Sequence, residues 1–279
     1  MKTRTLCSAA LLALVSSAVL LPVGASAAPV AGPVPVTGTG SVTFKQGNEE
    51  PIVTPPGEEG PVITEPGTPE DYSPLMMIAA TPLNFDEHNI EGFTKELVYN
   101  AKNFTTTDTA NNPVTTENFV KFRDIRGVKN HDYTVSAQLT KQFTATTDES
   151  LVLKAATLSF DNAKLVTTEG NAANLPEIDS ANTTLKSSFV LAPNAQTGTV
   201  SAEAAGDSVE VLSTTGEKGF GVFDIKFGDL ATPGAAEGKT QSEESVKLTI
   251  PATAQLTANT YQAEITWTIA EIPATTPEV

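Results

Sequence analysis

From Asp71 onward, short apolar segments recur between turn-forming residues, and no segment keeps a helical period. Every second residue is apolar in 133–139, and Val246–Ile250 and 261–269 alternate in the same way. Because the side chains of a strand point alternately to opposite faces, this pattern predicts strands with one buried and one solvated face. Threonine is frequent at the solvated positions, which is typical of strands. The sequence therefore predicts an all-β fold with a single antiparallel β-sandwich domain over residues 72–279.

The start of the chain has the three regions of a secretory signal peptide. Lys2 and Arg4 precede an apolar run over residues 6–21, and small residues follow at 25–27. This arrangement predicts that residues 1–27 are removed on export. No second apolar run of membrane-spanning length follows, so we expect a secreted protein with no membrane span in its mature form.

Residues 28–71 differ in composition from the rest of the chain. They are rich in proline and acidic residues, with glycine and threonine among them, and Lys45 is their single basic residue. Such a stretch cannot bury a core, and proline together with self-repelling charge extends the backbone. We therefore expect a disordered acidic spacer. One short apolar group interrupts it and predicts a strand near 41–44, which either pairs back onto the domain through Val42 and Phe44 or remains an unattached island in the spacer.

Charge and cysteine content exclude several classes of protein. The formal net charge is −16 at pH 7, so the chain repels nucleic acid phosphates, and we expect no nucleic acid partner. The single cysteine, Cys7, lies in the predicted signal peptide, which leaves the domain without disulfides or a cysteine nucleophile. Carboxylates are not paired as in glycosidases, and no phosphate-binding glycine loop is present. We expect no catalytic residues, no cofactor and no metal.

The last predicted strand holds the only tryptophan of the chain. Trp267 lies with Ile265 and Ile269 on the apolar face of the predicted strand 261–269, and the polar residues between them lie on the other face. Tyr261 begins the segment. A tyrosine followed by Thr-Trp-x-aliphatic near the C-terminus resembles the distal motif of the WxL cell-wall-binding domain, a surface module of Gram-positive bacteria. Ile269 stands at the position where that family has leucine.

A second segment resembles the proximal motif of the same family. Asp124, Arg126 and Gly127 fit an Asp-x-Arg-Gly group, which in the family precedes a strand with Trp-x-Leu. Here Tyr133 occupies the position of that tryptophan and Val135 that of the leucine. The resemblance covers most of the chain after the spacer.

The WxL resemblance implies non-covalent attachment to peptidoglycan at the cell surface or cell wall. It also implies assembly with another cell-surface protein in a multi-protein complex. An alternative comes from the strands alone: a structural or adhesive subunit whose exposed sheet edges pair with a strand of another surface protein.

The motif residues have two interpretations. Trp267 and Tyr133 either pack in the core or present an aromatic ring to a sugar. Asp124 and Arg126 are interpreted as an ion pair in a turn, with Gly127 supplying a positive φ, or as an exposed recognition loop. The two histidines lie far apart in sequence and are expected in solvated loops; they are His88 and His131.

Overall fold

The computed structural model describes residues 41–45, 49–90, 95–200 and 206–273. Within these ranges the chain forms fourteen strands and two short 3-10 helices, Glu169–Asn174 and Ser242–Glu244. The strands are β1 (Leu75–Ala80), β2 (Leu97–Asn100), β3 (Phe104–Thr107), β4 (Pro113–Thr116), β5 (Asn118–Asp124), β6 (Tyr133–Ala145), β7 (Thr157–Phe160), β8 (Ala163–Val166), β9 (Thr183–Leu185), β10 (Phe189–Leu191), β11 (Val209–Thr214), β12 (Gly221–Phe227), β13 (Val246–Ile250) and β14 (Tyr261–Glu271).

The described strands form three four-stranded sheets and one hairpin. The first sheet has the order β1-β5-β12-β8, the second β10-β7-β13-β2 and the third β14-β6-β11-β9, while β3 pairs with β4. Every one of these pairings is antiparallel. The predicted all-β, antiparallel sandwich is confirmed. Among the described residues, no helix has the length and apolar character needed to cross a membrane.

One main core lies between the inner faces of the three sheets. Phe122 of β5, Val135 of β6, Phe160 of β7 and Leu248 of β13 all belong to the same buried cluster. The alternation seen in the sequence of β6 places its odd-numbered residues, from Tyr133 to Leu139, in this core. Alternate apolar residues therefore decide which face of a strand is buried. A shift of one residue in the strand pairing would expose them to water, so burial of apolar area stabilises one register.

The first sheet is covered on both faces. All seven residues of β5 are buried. Val120 and Phe122 face the main core, whereas Phe119 belongs to a second cluster with Val53 and Ile63. This second cluster also contains residues of β1 and Phe104 of the β3–β4 hairpin. Strands covered on both faces lose the simple alternation that marks a solvated sheet.

Residues 49–66, which we call the covering segment, provide part of this second layer. Val53 and Ile63 are buried, and the Ile63 amide donates to the Val53 carbonyl at 2.9 Å. The segment also closes over an ion pair between Lys121 and Asp224, whose side chains are each 2% exposed and 2.7 Å apart. The amide of Gly57 donates to the Asp224 carboxylate at 3.0 Å.

The covering segment corrects the predicted extent of the spacer, because packed chain begins about twenty residues before residue 71. Composition alone conceals this, because the prolines that suggest a spacer include Pro51, Pro55 and Pro56, which are buried together with Val53 and Ile63. The structure also differs near 41–44, because the described residues 41–45 form no strand and Val42 and Phe44 are exposed.

Candidate functional site

The two motif segments lie side by side in the third sheet. β6 and β14 pair antiparallel along nearly their full lengths. In this register Trp267 lies opposite Ala137, Ile269 opposite Val135, and Glu271 opposite Tyr133. The first motif strand thus supports the second, and β14 forms the edge of the sheet.

Trp267 is half-buried and contacts three aromatic rings of the main core. Its ring centroid lies 6.0 Å from that of Phe160 and 6.2 Å from those of Phe189 and Phe227. The rings of Phe160 and Phe189 meet it edge to face, a favourable aromatic geometry. Trp267 also borders an open groove. One indole therefore packs the core and forms part of a surface.

This groove has a volume of about 1580 Å³ and runs beside the inner face of β14. Tyr261 and Trp267 line it from β14, and Tyr99 lines it from β2. The irregular segment 80–90 closes the remaining side, where Phe85 packs edge to face on Phe143 at 6.2 Å. Both β2 and β14 are edge strands of their sheets. The site therefore lies where two sheets end beside each other.

The rim of the groove carries polar and charged groups. Lys141 and Glu264, both solvent-accessible, lie 3.6 Å apart across the paired strands. His88 stacks on Tyr99 at 3.7 Å with the ring planes 12° apart, and its Nε2 donates to the Phe85 carbonyl at 2.6 Å. His88 is exposed, as the sequence predicts for a loop histidine.

Asp124 and Arg126 form a buried clasp at the end of β5. The Asp124 carboxylate accepts from Arg126 Nε at 2.9 Å, from Arg126 Nη2 at 2.7 Å and from His131 Nδ1 at 2.9 Å. Arg126 also pairs with Glu271 at the end of β14, at 2.7 Å. The clasp thereby joins the end of β5, the start of β6 and the end of β14, and so fixes the two motif strands relative to each other.

Two expectations about this region are wrong. His131 is buried and bonded to Asp124 rather than solvated, because the chain folds back over the carboxylate and brings its ring within reach. Gly127 is exposed and does not adopt a positive φ, since the turn is formed by the Asp124–Arg126 hydrogen bonds. The interpretation of Asp124 and Arg126 as a paired turn agrees with the contacts.

The environment of Asp124 favours its charged form. Burial alone raises its pKa, but hydrogen bonds from Arg126 and His131 outweigh that effect, so the pKa of this carboxyl lies below its usual value. The Asp124 carboxylate is therefore ionised at neutral pH.

Tyr133 and Val135 belong to the core. Both are fully buried, and the Tyr133 ring meets Phe122 edge to face at 5.8 Å. The Tyr133 hydroxyl donates to the Gly219 carbonyl at 3.4 Å, and burial raises its pKa far above the usual value. Tyr133 occupies an interior position where a larger indole would need more space.

Sequence reasoning missed the side of the groove opposite β14. Phe85 and Tyr99 lie in segments whose pattern marks only a turn and a short strand. Nothing local shows that they line the same groove as Trp267, because the sheets are brought together by the core and not by neighbours in sequence. Within the described ranges, no three His, Cys, Asp or Glu side chains converge as a metal site requires.

Comparison with known proteins gives one match. A family model described as a WxL domain, surface cell wall-binding, matches residues 34–273, which include both motif strands and the groove. No curated protein and no solved structure matches the chain. Since the model matches most of its length, this chain belongs to the WxL family of surface cell-wall-binding domains.

Proposed function

We propose that this protein is secreted and is held non-covalently on a Gram-positive cell wall by binding the glycan chains of peptidoglycan in the groove. One observation carries the proposal: half-buried aromatic side chains of Trp267, Tyr261 and Tyr99 line a long open groove. The family to which the chain belongs is surface cell-wall-binding, which supports this assignment.

The chemistry of the groove suits a polysaccharide. The apolar face of a sugar ring stacks on an aromatic side chain, and its hydroxyl and amide groups need polar partners beside that ring. The groove supplies both kinds of group, since Asn84 and Asn259 line it together with the aromatic residues. An open groove also admits a polymer along its length, whereas an enclosed pocket admits only a chain end.

Binding to purified peptidoglycan tests this function directly. Residues 28–279, which retain every described residue, are sedimented with peptidoglycan at several salt concentrations, with folding checked by circular dichroism. We expect saturable, salt-tolerant binding, because stacking depends little on ionic strength. Oligomers of N-acetylglucosamine should compete. A folded chain that remains in the supernatant would contradict direct binding to the wall.

Matched variants locate the site. Tyr99→Ala removes a groove ring from an edge strand, and we expect about tenfold weaker sedimentation, the effect of losing roughly 1.4 kcal/mol of contact. Phe220→Ala removes an exposed ring that does not line the groove, and it should leave wall binding unchanged. Equal losses in both variants would argue against the groove.

Strand addition in a multi-protein surface complex is the second candidate. β14 and β2 are edge strands that border the groove, and an edge strand presents unpaired backbone groups to an incoming chain. This candidate predicts that Val98→Lys, which puts a charge at an exposed position of edge strand β2 that does not line the groove, weakens assembly with a partner protein but not sedimentation with peptidoglycan. Loss of peptidoglycan binding therefore supports the glycan-binding groove, and loss of partner assembly supports strand addition.

A further inference from the structure

A second opening, which we call the cleft, lies beside the covering segment. It has a volume of about 1210 Å³ and is lined by residues of the covering segment, by the turn after β5 and by Phe220 before β12. It shares no lining residue with the groove. The cleft is therefore a separate feature with its own chemistry.

Exposed apolar side chains converge on the cleft from three parts of the sequence. Ile52 is 59% exposed, Val128 49% and Phe220 41%, and all three line the opening. Isolated exposed apolar residues are ordinary on a protein surface. Several that meet at one concave site mark a surface that another molecule covers.

The rim of the cleft is acidic. Glu49, Glu50, Glu58 and Glu59 line it and are exposed. Lys45 also lines the cleft and is exposed, and Arg126 there is paired with Glu271, so the four glutamates outnumber the exposed basic groups of the rim. Such a rim repels nucleic acid and anionic lipid, and it attracts lysine or arginine side chains.

The floor of the cleft contains an arginine with an unused donor. Arg123 is almost fully buried; its Nε donates to the Ser73 carbonyl at 3.0 Å and its Nη1 to the Glu49 carbonyl at 2.8 Å. Its Nη2 has no hydrogen-bond partner among the described residues. A buried guanidinium N–H without an acceptor is costly. The Nη2 atom is itself buried, so Arg123 shapes the floor of the cleft and leaves contact with another molecule to the exposed residues of the rim.

We propose that the cleft binds an extended segment of a partner protein in which aliphatic residues alternate with lysine or arginine. The aliphatic side chains cover Ile52, Val128 and Phe220, while the basic side chains meet the glutamates of the rim. This interaction is independent of wall binding, because it uses none of the residues that line the groove.

A defined peptide tests the proposal. Residues 28–279 are titrated with the fluorescently labelled, amidated pentapeptide Lys-Leu-Lys-Leu-Lys, and binding is followed by anisotropy and by backbone chemical shifts. We expect the shifts to concentrate in residues 49–59, in residues 125–128 and at Phe220. The peptides Glu-Leu-Glu-Leu-Glu and Lys-Ser-Lys-Ser-Lys should bind at least fivefold more weakly, since each lacks one half of the recognition.

Two matched variants show whether the apolar rim takes part. Val128 and Val190 are almost equally exposed, at 49% and 51%, but only Val128 lines the cleft. Val128→Ser should weaken the lysine–leucine peptide about fivefold, and Val190→Ser should not. As a third single variant, Glu58→Gln should also weaken binding of the lysine–leucine peptide, and it should reduce the salt dependence of that binding.

Several outcomes would overturn the proposal. They are equal affinity for the three peptides, chemical shifts confined to the groove, and a Val128→Ser variant that binds as tightly as the unchanged chain.

Discussion

At the scale of single residues, Trp267 connects stability with binding, because one indole touches three core rings and borders the groove. Trp267→Ala should lower the free energy of unfolding by about 3 kcal/mol, the lower end for a large aromatic because the side chain is half-buried. Urea denaturation measures that loss. Trp267→Phe keeps an aromatic ring in the core, so it should cost less stability while still weakening sedimentation with peptidoglycan. A Trp267→Phe variant with unchanged sedimentation would place Trp267 outside the binding surface.

Asp124 gives a prediction about pH. Its folded-state pKa lies below the unfolded value of about 4, so the stability that it contributes is present above pH 4 and is lost as the pH falls through the folded pKa. Asp124→Asn removes the charge from a buried pair with Arg126 and should cost about 3 kcal/mol at pH 7. The difference between variant and wild type should shrink when urea denaturation is repeated at pH 3.

The control for this prediction is an exposed aspartate. The pKa of Asp148 is also lowered, by hydrogen bonds from Ser150, but Asp148 is exposed. Asp148→Asn should therefore leave the free energy of unfolding near that of wild type at either pH. A pH-independent effect of Asp124→Asn would instead show that packing, and not charge, holds the clasp.

At the scale of elements, the covering segment acts as a structural layer. Val53 is buried in the second cluster, whereas its neighbour Ile52 is exposed. Val53→Ser should lower the free energy of unfolding by about 2 kcal/mol, since it removes a buried apolar side chain. Ile52→Ser should change it little. Thermal and urea unfolding compare both variants with wild type. A Val53→Ser variant as stable as wild type would mean that the segment does not contribute to the fold.

The elements also show how far sequence patterns reach. Alternation predicts β6 and β14 of the third sheet well, because one face of each strand remains solvated. It is absent from β5, where all residues are buried. The covering segment escaped prediction because prolines, which by composition suggest a spacer, are here buried together with Val53 and Ile63.

At the scale of the whole molecule, the groove and the cleft should act independently, because no residue lines both. The double variant Tyr99→Ala, Val128→Ser should lose affinity for peptidoglycan as Tyr99→Ala does and for the lysine–leucine peptide as Val128→Ser does. Distant sites without shared partners behave additively. Sedimentation and anisotropy on the same four proteins, wild type, two singles and the double, measure this. A loss in the double variant beyond that of either single would show coupling.

The sequence by itself determined what depends on local order. Alternation specified an antiparallel all-β fold, Tyr261 with Trp267 and Ile269 specified the family, and the adjacent charges specified the Asp124–Arg126 pair. Only the tertiary structure decided which faces meet. It placed β6 against β14, brought His131 onto Asp124, put Tyr99 and Trp267 in one groove and laid residues 49–66 over the first sheet. The physical reason is that apolar burial has no direction: a sequence shows that a face must be covered, but the partner is selected by the packing of the whole chain.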